Sequence, residues 1–316
     1  MLRALLLLLL FASAGAQAQP FPDRPIRLIV VFGPGGGADT TARLMAAPMA
    51  QVLGQQVLIE NRSGGGGTHG GQVVAQAAPD GYTLMADASA FVVRHKLHPH
   101  LAFDYLADFE PVARLSVMPL LLVVPPTERA ETLADYIAAL GRQPVPLHYA
   151  VAGVGSASHF AGLYFLQRIG IRGEAVAYRG GSTGAMAVVT GETLLNFATT
   201  PSAVGLVQGG RLRAMAVSSE RRMAVLPQVP SVAEALPGFA LTEWIALYAP
   251  ARTPAAVLGR LHAALRHALA QPEVIARLAD VGAEPALLEG EAFGRFVAEQ
   301  RSLMTGLADA AGMKPE

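Results

Sequence analysis

The chain has 316 residues, of which 52% are hydrophobic and 15% charged, and 24 Lys and Arg residues balance 24 Asp and Glu residues. This neutral balance excludes the basic surface with which proteins wrap nucleic acid or lie on an anionic membrane. The apolar fraction excludes a disordered chain. Because the chain has no cysteine, disulfides, iron–sulfur clusters, thiol nucleophiles and zinc sites with Cys ligands are excluded as well.

The first residues predict an export signal. Arg3 gives a basic start, residues 4–12 are an unbroken apolar stretch, and Ala16–Gln17–Ala18 is a small-x-small cleavage motif. The stretch is about half of the roughly 20 residues that a membrane-spanning helix needs. We therefore expect a signal peptide at residues 1–18, cleavage after Ala18 and an exported mature chain that begins at Gln19.

Strands and helices then alternate along the chain in two series. The first predicts strands at 26–32, 57–60 and 82–86 and helices at 39–53 and 72–78. The second predicts strands at 120–124, 147–150, 175–178, 194–198 and 213–217, each followed by a helix or a turn, and a further strand at 244–248. Helices at 255–270, 272–281 and 291–311 close the chain. The alternation predicts two α/β lobes, each with its own parallel sheet, and leaves open which lobe holds the closing helices.

Five predicted strands are followed by glycine and hydroxyl residues before the next helix. These loops lie at 33–40, 63–68, 153–158, 180–183 and 199–202. Glycine lets backbone N–H groups approach a ligand, and a helix N-terminus adds unpaired donors and about half a positive charge. At the carboxyl ends of parallel strands, such loops predict a crevice that binds an anion.

Two enzyme motifs compete with this interpretation. Gly33-x-Gly35-x-x-Ala38 with Glu60 resembles a dinucleotide fingerprint, but Pro34 offers no N–H group and NAD is cytosolic, so we expect no cofactor. Gly180-x-Ser182-x-Gly184 follows a strand like a nucleophile elbow, with His262 or His267 as a later base. An exported serine hydrolase therefore stays open as the alternative function.

A histidine-rich stretch allows a metal site or a solvated basic loop. His95, His98 and His100 lie close together beside Arg94, but the nearest acidic residue is Asp104. Pro99 also interrupts helical geometry there. We expect a solvated basic loop and no metal.

The ordered motifs of the mature chain resemble those of the periplasmic solute-binding proteins of the tripartite tricarboxylate transporter type, also called Bug receptors. The matching stretches cover the whole mature chain in family order: PDRPIRLIVVFGPGGGADTTAR (22–43), LGQQVLIENRSGGGGTHGG (53–71), PDGYTL (79–84), DFEPVA (108–113), YAVAGVGSASHFAG (149–162), AYRGG (177–181), GRLRAMAVSSERR (210–222), LPQVPSVAEALPGF (226–239) and APARTP (249–254).

The resemblance implies a two-lobe periplasmic-binding-protein (Venus flytrap) fold, in which each lobe is a mostly parallel sheet flanked by helices. Lobe I would comprise residues 19–118 and 246–316, and lobe II residues 119–245. The chain would cross between the lobes near 118–123 and 244–248, and the closing helices would return to lobe I.

The same resemblance implies a periplasmic receptor, not an enzyme, that captures a small organic carboxylate for transporter membrane subunits. Di- and tricarboxylates, aromatic acids and amino acids all stay open as ligands, as does a sensor that presents the same site to a signalling partner. The candidate ligand-binding residues are Phe32, Gly33, Gly36, Gly37, Ala38, Asp39, Ser89, Gly155, Ser156, Ser158, His159, Tyr178, Arg179, Thr200 and Ser202.

One departure from the family pattern concerns the histidine-rich stretch. Where the family usually has Asn-Pro, this chain has Arg94–His95. The sequence leaves open whether Arg94 adds a cation at the rim of the cleft or lies in solvent.

Overall fold

The computed structural model describes residues 21–144 and 146–315. The predicted signal peptide at residues 1–18 lies outside the described residues. In chain order the first half contains β1 (Ile26–Val30), α1 (Gly37–Leu53), β2 (Val57–Asn61), a 3₁₀ turn (Gly65–Gly67), α2 (Thr68–Ala75), β3 (Thr83–Ala88), α3 (Phe91–Leu97) and β4 (Phe109–Val124).

The second half continues the alternation and ends in helices. Its elements are α4 (Leu133–Leu140), β5 (Leu147–Val151), α5 (Ala157–Arg168), β6 (Gly173–Ala177), α6 (Gly181–Val189), β7 (Leu195–Thr199), α7 (Thr200–Gln208), β8 (Arg213–Val217), α8 (Val232–Ala235), β9 (Thr242–Pro250), α9 (Ala255–Leu269), α10 (Pro272–Asp280), β10 (Glu284–Glu289) and α11 (Gly290–Ala310). The sequence did not predict β10, because its side chains are only partly buried and Pro285 interrupts the strand pattern.

The strands follow the order β2-β1-β3-β9-β4-β7-β5-β6, with β10 and β8 also paired to β4. The strands of β1–β2, β1–β3, β5–β6 and β5–β7 are parallel, as the alternation predicts. The pairings of β4 and β9 with their neighbours are antiparallel. The sheets are therefore mixed where the resemblance implied mostly parallel sheets.

The long strand β4 joins the two halves of the sheet. Its residues 109–119 pair with β9, whereas residues 120–124 pair with β7 and β8. A register shift follows Pro111, which has no N–H group to give to the ladder. The strand that the sequence predicted only at 120–124 is thus the end of a longer one.

The buried side chains form separate cores at the two ends of β4. One core takes residues from 26–118 and from 244–308, with Phe160 added, and the other two lie within 120–239. Helix α9 packs against α1, and α11 packs against α3 and β4. The closing helices therefore contact the first half of the chain.

Candidate functional site

A cavity of about 30 Å³ lies where the segments after β1, β3, β5, β6 and β7 meet the first half of β9. Its lining is apolar or hydroxyl-bearing except for one carboxyl group. The lining residues are Phe32, Gly36, Gly37, Ala38, Ala88, Ala152, Ser156, Ser158, Gly181, Ala198, Thr199, Glu243 and Ile245. Both halves of the chain contribute to it, so a molecule bound here touches both.

The first half contributes the N-terminus of α1. Gly36 is the N-cap, and no side chain caps the helix there. Within the described residues the N–H groups of Gly37 and Ala38 have no hydrogen-bond acceptor. These donors and the positive end of the helix dipole favour an anionic ligand group in the cavity.

Asp39 stabilises this loop through hydrogen bonds. Its buried carboxylate accepts hydrogen bonds from the Gly35 N–H group (2.9 Å), the Arg43 guanidinium (2.9 Å) and the Asn61 side-chain amide (2.9 Å). Burial alone would raise the pKa of Asp39, but these donors and the Arg43 charge hold it below its usual range. Asp39 is therefore committed to the loop and does not line the cavity.

The second half contributes the N-terminus of α5, which is capped. Ser156 Oγ accepts from the His159 N–H group at 3.3 Å and donates to Gly153 O at 2.7 Å. Ser158 Oγ accepts from the Ala152 N–H group at 2.8 Å and lies 2.9 Å from Ser156 Oγ. This side of the cavity therefore offers hydroxyl groups on a helix end whose first donors are already partly used.

His159 supports the same loop. Its Nδ1 accepts from the Gly155 N–H group at 3.2 Å. Burial lowers the pKa of His159 to about 4, so the ring is neutral at pH 7. Gly155 and His159 therefore position the loop and do not line the cavity.

Glu243 reaches the cavity from β9 and is 4% exposed. Its Oε1 accepts from the backbone N–H groups of Ser89 and Trp244, each at 2.9 Å. Burial and, to a smaller extent, the nearby Asp87 raise the pKa of Glu243 to about 7, although the hydrogen bonds from Ser89 and Trp244 act in the opposite direction. The candidate residue Ser89 thus acts on the site through Glu243, with both its backbone N–H group and its hydroxyl group.

The two halves touch directly beside the cavity. The Gly33 N–H group donates to Arg179 O at 2.9 Å, and Ser182 Oγ donates to Pro34 O at 3.0 Å. The loops after β1 and β6 are therefore in hydrogen-bond contact.

A larger chamber of about 490 Å³ adjoins the cavity and shares Phe32 and Ala152 with it. The glycine-rich segment 63–67 and His69 line one side, and Tyr178 and Arg179 line another. A ligand longer than the inner cavity has room to extend into this chamber.

The structure places the candidate residues in three groups. Those that line the inner cavity are Phe32, Gly36, Gly37, Ala38, Ser156 and Ser158. Tyr178 and Arg179 line the outer chamber with Phe32. Those that line neither are Gly33, Asp39, Ser89, Gly155, His159, Thr200 and Ser202.

Thr200 and Ser202 lie just behind the cavity. Thr200 Oγ1 donates to Gly282 O at 3.0 Å, and Ser202 Oγ lies 2.8 Å from Thr199 Oγ1. Thr199 itself lines the cavity, as does Gly181. Sequence reasoning found the two loops that carry these residues but not the exact lining positions.

The sequence analysis did not identify Glu243 as a site residue, although the sequence contains a pattern that indicates it. It is the one charged residue in the otherwise apolar stretch TEWIALYAP. An isolated acid in a buried strand needs a partner, and this requirement marks it as a candidate for function.

The expectation of a solvated basic loop at 94–100 is wrong for residues 94–97, whereas 98–100 do form a turn with Pro99 and His100 exposed; both open placements of Arg94 are wrong. Residues Phe91–Leu97 form α3, and Arg94 is fully buried. Its guanidinium forms an ion pair with Asp87, which is also fully buried, and its Nε donates to Gly66 O at 2.7 Å. Burial would lower the pKa of Arg94, but the Asp87 charge more than compensates and raises it.

Arg94 therefore supports the glycine-rich segment from inside the core of the first half of the chain. It also lies 5.7 Å from the centroid of the Phe32 ring, behind the cavity wall. Among residues 21–144 and 146–315, no group of three His, Asp or Glu side chains is placed to hold a metal ion.

The serine-hydrolase geometry is not assembled. Ser182 Oγ donates to a backbone carbonyl. His262 Nε2 lies 3.0 Å from Val112 O, and the His267 ring contacts Gln51 and Gln271. Both histidines thus have partners away from the nucleophile that the motif requires.

Residues 41–313 match the model of the family described as "Tripartite tricarboxylate transporter family receptor". The chain belongs to this family. It is 30% identical over 305 residues to Protein BugT of Bordetella pertussis, an alignment that covers 96% of this chain and 94% of BugT. In the described part of the chain, no helix has the length and apolar character needed to cross a bilayer.

Solved structures of three similar proteins share the fold. The periplasmic binding protein BugD is 27% identical with a TM-score of 0.89, and the alignment covers 94% of this chain and 100% of BugD. Rpa4515 of R. palustris, solved with adipate, is 29% identical with a TM-score of 0.89, at 94% and 100% coverage. MatC of Rhodopseudomonas palustris, with bound malate, is 34% identical with a TM-score of 0.83, at 91% and 99% coverage. The predicted family and the two-lobe α/β fold class are confirmed.

Proposed function

We propose that this receptor captures a small organic carboxylate between its lobes in the periplasm and delivers it to the membrane subunits of a tripartite tricarboxylate-type transporter. The observation that carries the proposal is the uncapped N-terminus of α1, where Gly37 and Ala38 present unpaired N–H groups to the cavity. The hydroxyl groups of Ser156 and Ser158 face it from the other lobe.

Two relatives support the choice of a carboxylate. The similar structures of Rpa4515 and MatC hold adipate and malate. Adipate and malate are both dicarboxylates, and fixed backbone donors at a helix N-terminus suit such anions.

The lobe boundaries belong to the same proposal. We infer that lobe I comprises residues 19–118 and 246–316 and that lobe II comprises 119–245. The hinge in this proposal is formed by β4 and β9, the two strands that run from one lobe to the other. Support comes from the buried cores, which are separate at the two ends of β4. The signal peptide at 1–18, with cleavage after Ala18, accounts for export in this proposal.

A thermal-shift screen of the mature chain against organic acids, followed by calorimetry, tests the proposal. A ligand at a hundredfold excess over its Kd should add about 2.7 kcal/mol to the free energy of unfolding. Binding should weaken at a pH below the ligand's own pKa of about 4, because the donors recognise the ionised carboxylate. A screen in which no organic acid stabilises the protein would refute the receptor assignment.

The proposal also holds that the chain is not an enzyme. A hydrolase would turn over ester substrates and would lose that activity on Ser182→Ala. We expect the purified protein to have no esterase activity that depends on Ser182, because that hydroxyl is hydrogen-bonded to Pro34 O and the candidate bases lie elsewhere.

A further inference from the structure

Among the residues that the structure describes, Glu243 alone lines the inner cavity with an ionisable side chain. It is the second residue of β9, where Thr242 before it is exposed and the residues after it are buried. An ionised carboxylate buried there loses most of its hydration. Such a group is retained at a cost unless a partner compensates it.

The protein supplies only part of that compensation. The backbone N–H groups of Ser89 and Trp244 hold Oε1. Among the described residues, no Lys, Arg or His side chain lies within ion-pair distance of Glu243. Arg94, a cation in the same core, is already committed to Asp87 and Gly66 O. Above pH 7, where Glu243 is ionised, the missing counter-charge therefore has to come from whatever occupies the cavity.

The cavity thus presents two opposite requirements. The N-terminus of α1, at Gly37 and Ala38, favours a negative group, and Glu243 favours a positive one. Burial raises the pKa of Glu243, which shows how strongly the site disfavours an uncompensated carboxylate. A ligand that carries both charges satisfies both sides at once.

We propose that the ligand is a carboxylic acid that also carries an ammonium group, with its carboxylate at the N-terminus of α1 and its ammonium group paired with Glu243. This inference rests on the proposed function as a carboxylate receptor and narrows its ligand class to amino acids and similar aminocarboxylates. The outer chamber has room for the remainder of the molecule.

Matched acids that differ only in one substituent test the proposal by calorimetry on the mature protein at pH 8. The pairs are L-alanine with propionate and L-glutamate with glutarate, and lactate and 2-hydroxyglutarate carry a hydroxyl group instead. We expect at least one amino compound to bind tenfold or more tightly than its unsubstituted and hydroxyl analogues.

Glu243→Gln separates the charge from the shape of the side chain. Its amide oxygen can still accept from Ser89 and Trp244, and we expect it to reduce the preference for the amino compound to less than threefold. Glu284→Gln, the same change at an exposed position of β10, should leave the preference intact. Thermal unfolding of both variants without ligand checks that they are folded.

Three results would overturn the inference. They are equal or tighter binding of propionate or glutarate by the wild type, equal binding of the hydroxyl analogue, and a preference that survives Glu243→Gln. The comparison of acids on the wild type decides the question even if the variant is unstable. Tight binding of unsubstituted acids would leave the receptor function standing, whereas no binding of any carboxylate would overturn both proposals.

Discussion

The loop after β1 leads into α1, and the loop after β5 leads into α5 on the other side of the cavity. Both turn through a left-handed glycine, Gly35 with φ 75° and Gly155 with φ 76°. They differ in how the helix begins, because Gly36 leaves α1 uncapped whereas the Ser156 hydroxyl caps α5. One side therefore keeps its backbone donors free, and the other uses them internally and presents hydroxyl groups.

Because of this difference, the two lobes contribute to ligand binding in different ways. Unpaired N–H groups and a helix dipole attract a carboxylate regardless of the rest of the ligand. The hydroxyl protons of Ser156 and Ser158 are already engaged with Gly153 O and with each other, so these groups must exchange a partner before they donate to a ligand. We infer that lobe I provides most of the anion affinity and that lobe II completes the site.

The largest expected effect comes from filling the lobe I side. A Cβ atom at Gly37 would lie 2.7 Å from Met118 Sδ and 3.7 Å from Ile245 Cδ1, inside the cavity wall. We expect Gly37→Val to weaken carboxylate binding at least a hundredfold, about 2.7 kcal/mol, as measured by calorimetry. Gly259→Val, on the exposed face of α9 with nothing within 4 Å, is the matched control. Undiminished binding by a folded Gly37→Val protein would show that lobe I does not provide the main donors.

Sequence reasoning located these two loops because glycine next to a strand end leaves a strong local pattern. Gly33–Asp39 and Gly153–Ser158 needed no knowledge of distant contacts to be recognised as candidate anion sites. The alternation of strands and helices likewise fixed most elements, since periodicity is local.

Contacts between residues that are distant in the sequence could not be predicted. Glu243 accepts a hydrogen bond from the N–H group of Ser89, which is 154 residues away in the sequence, and no local sequence pattern links the two residues. Arg94 looked solvated among histidines because its partner Asp87 and the Gly66 carbonyl are brought to it only by the fold. Burial and pairing of charges depend on tertiary structure, and a single sequence does not record them.

The second prediction concerns acid, which should affect the two loops in different pH ranges. Burial lowers the pKa of His159 to about 4, whereas an unfolded histidine takes up a proton near 6.5. The folded lobe II loop therefore loses stability as the pH falls from about 6.5 to 4. The pKa of Asp39 is held below its usual range by its donors, so its contribution to the lobe I loop is lost in stronger acid than that of His159.

Denaturant unfolding of wild type and His159→Gln at several pH values measures this contribution. The glutamine oxygen can still accept from the Gly155 N–H group, so only the titration is removed. We expect the wild type to lose about 2 kcal/mol relative to the variant between pH 7 and 4.5, after allowance for partial solvent contact. The exposed His148→Gln controls for loss of an imidazole. A difference that does not change with pH would mean that folding does not lower the pKa of His159.

The third prediction tests the capped helix in lobe II. Ser156→Ala removes the cap of α5 and should cost about 1 kcal/mol of unfolding free energy. Because its hydroxyl also lines the cavity, ligand affinity should fall about three- to tenfold. Thr132→Ala removes the equivalent cap of α4, which is remote from the cavity, and should cost similar stability without loss of affinity. Equal affinity losses in the two variants would show that the Ser156 effect acts through stability alone.

The smallest expected effect concerns the contact between the lobes. Ser182 Oγ donates to Pro34 O across the cleft, so this hydrogen bond exists only when the lobes are together. If the ligand binds the closed form, removal of the bond lowers the population of that form and weakens binding by the same factor. A single exposed hydrogen bond contributes about 0.5 to 1.5 kcal/mol, which corresponds to roughly a two- to tenfold change. We therefore expect Ser182→Ala to bind ligand two- to tenfold more weakly, with unchanged thermal stability of the free protein. Thr183→Ala breaks a bond to Gly180 O within the same loop and should leave the affinity alone. A Ser182→Ala protein that binds as tightly as the Thr183→Ala control would mean that this contact does not contribute to closure.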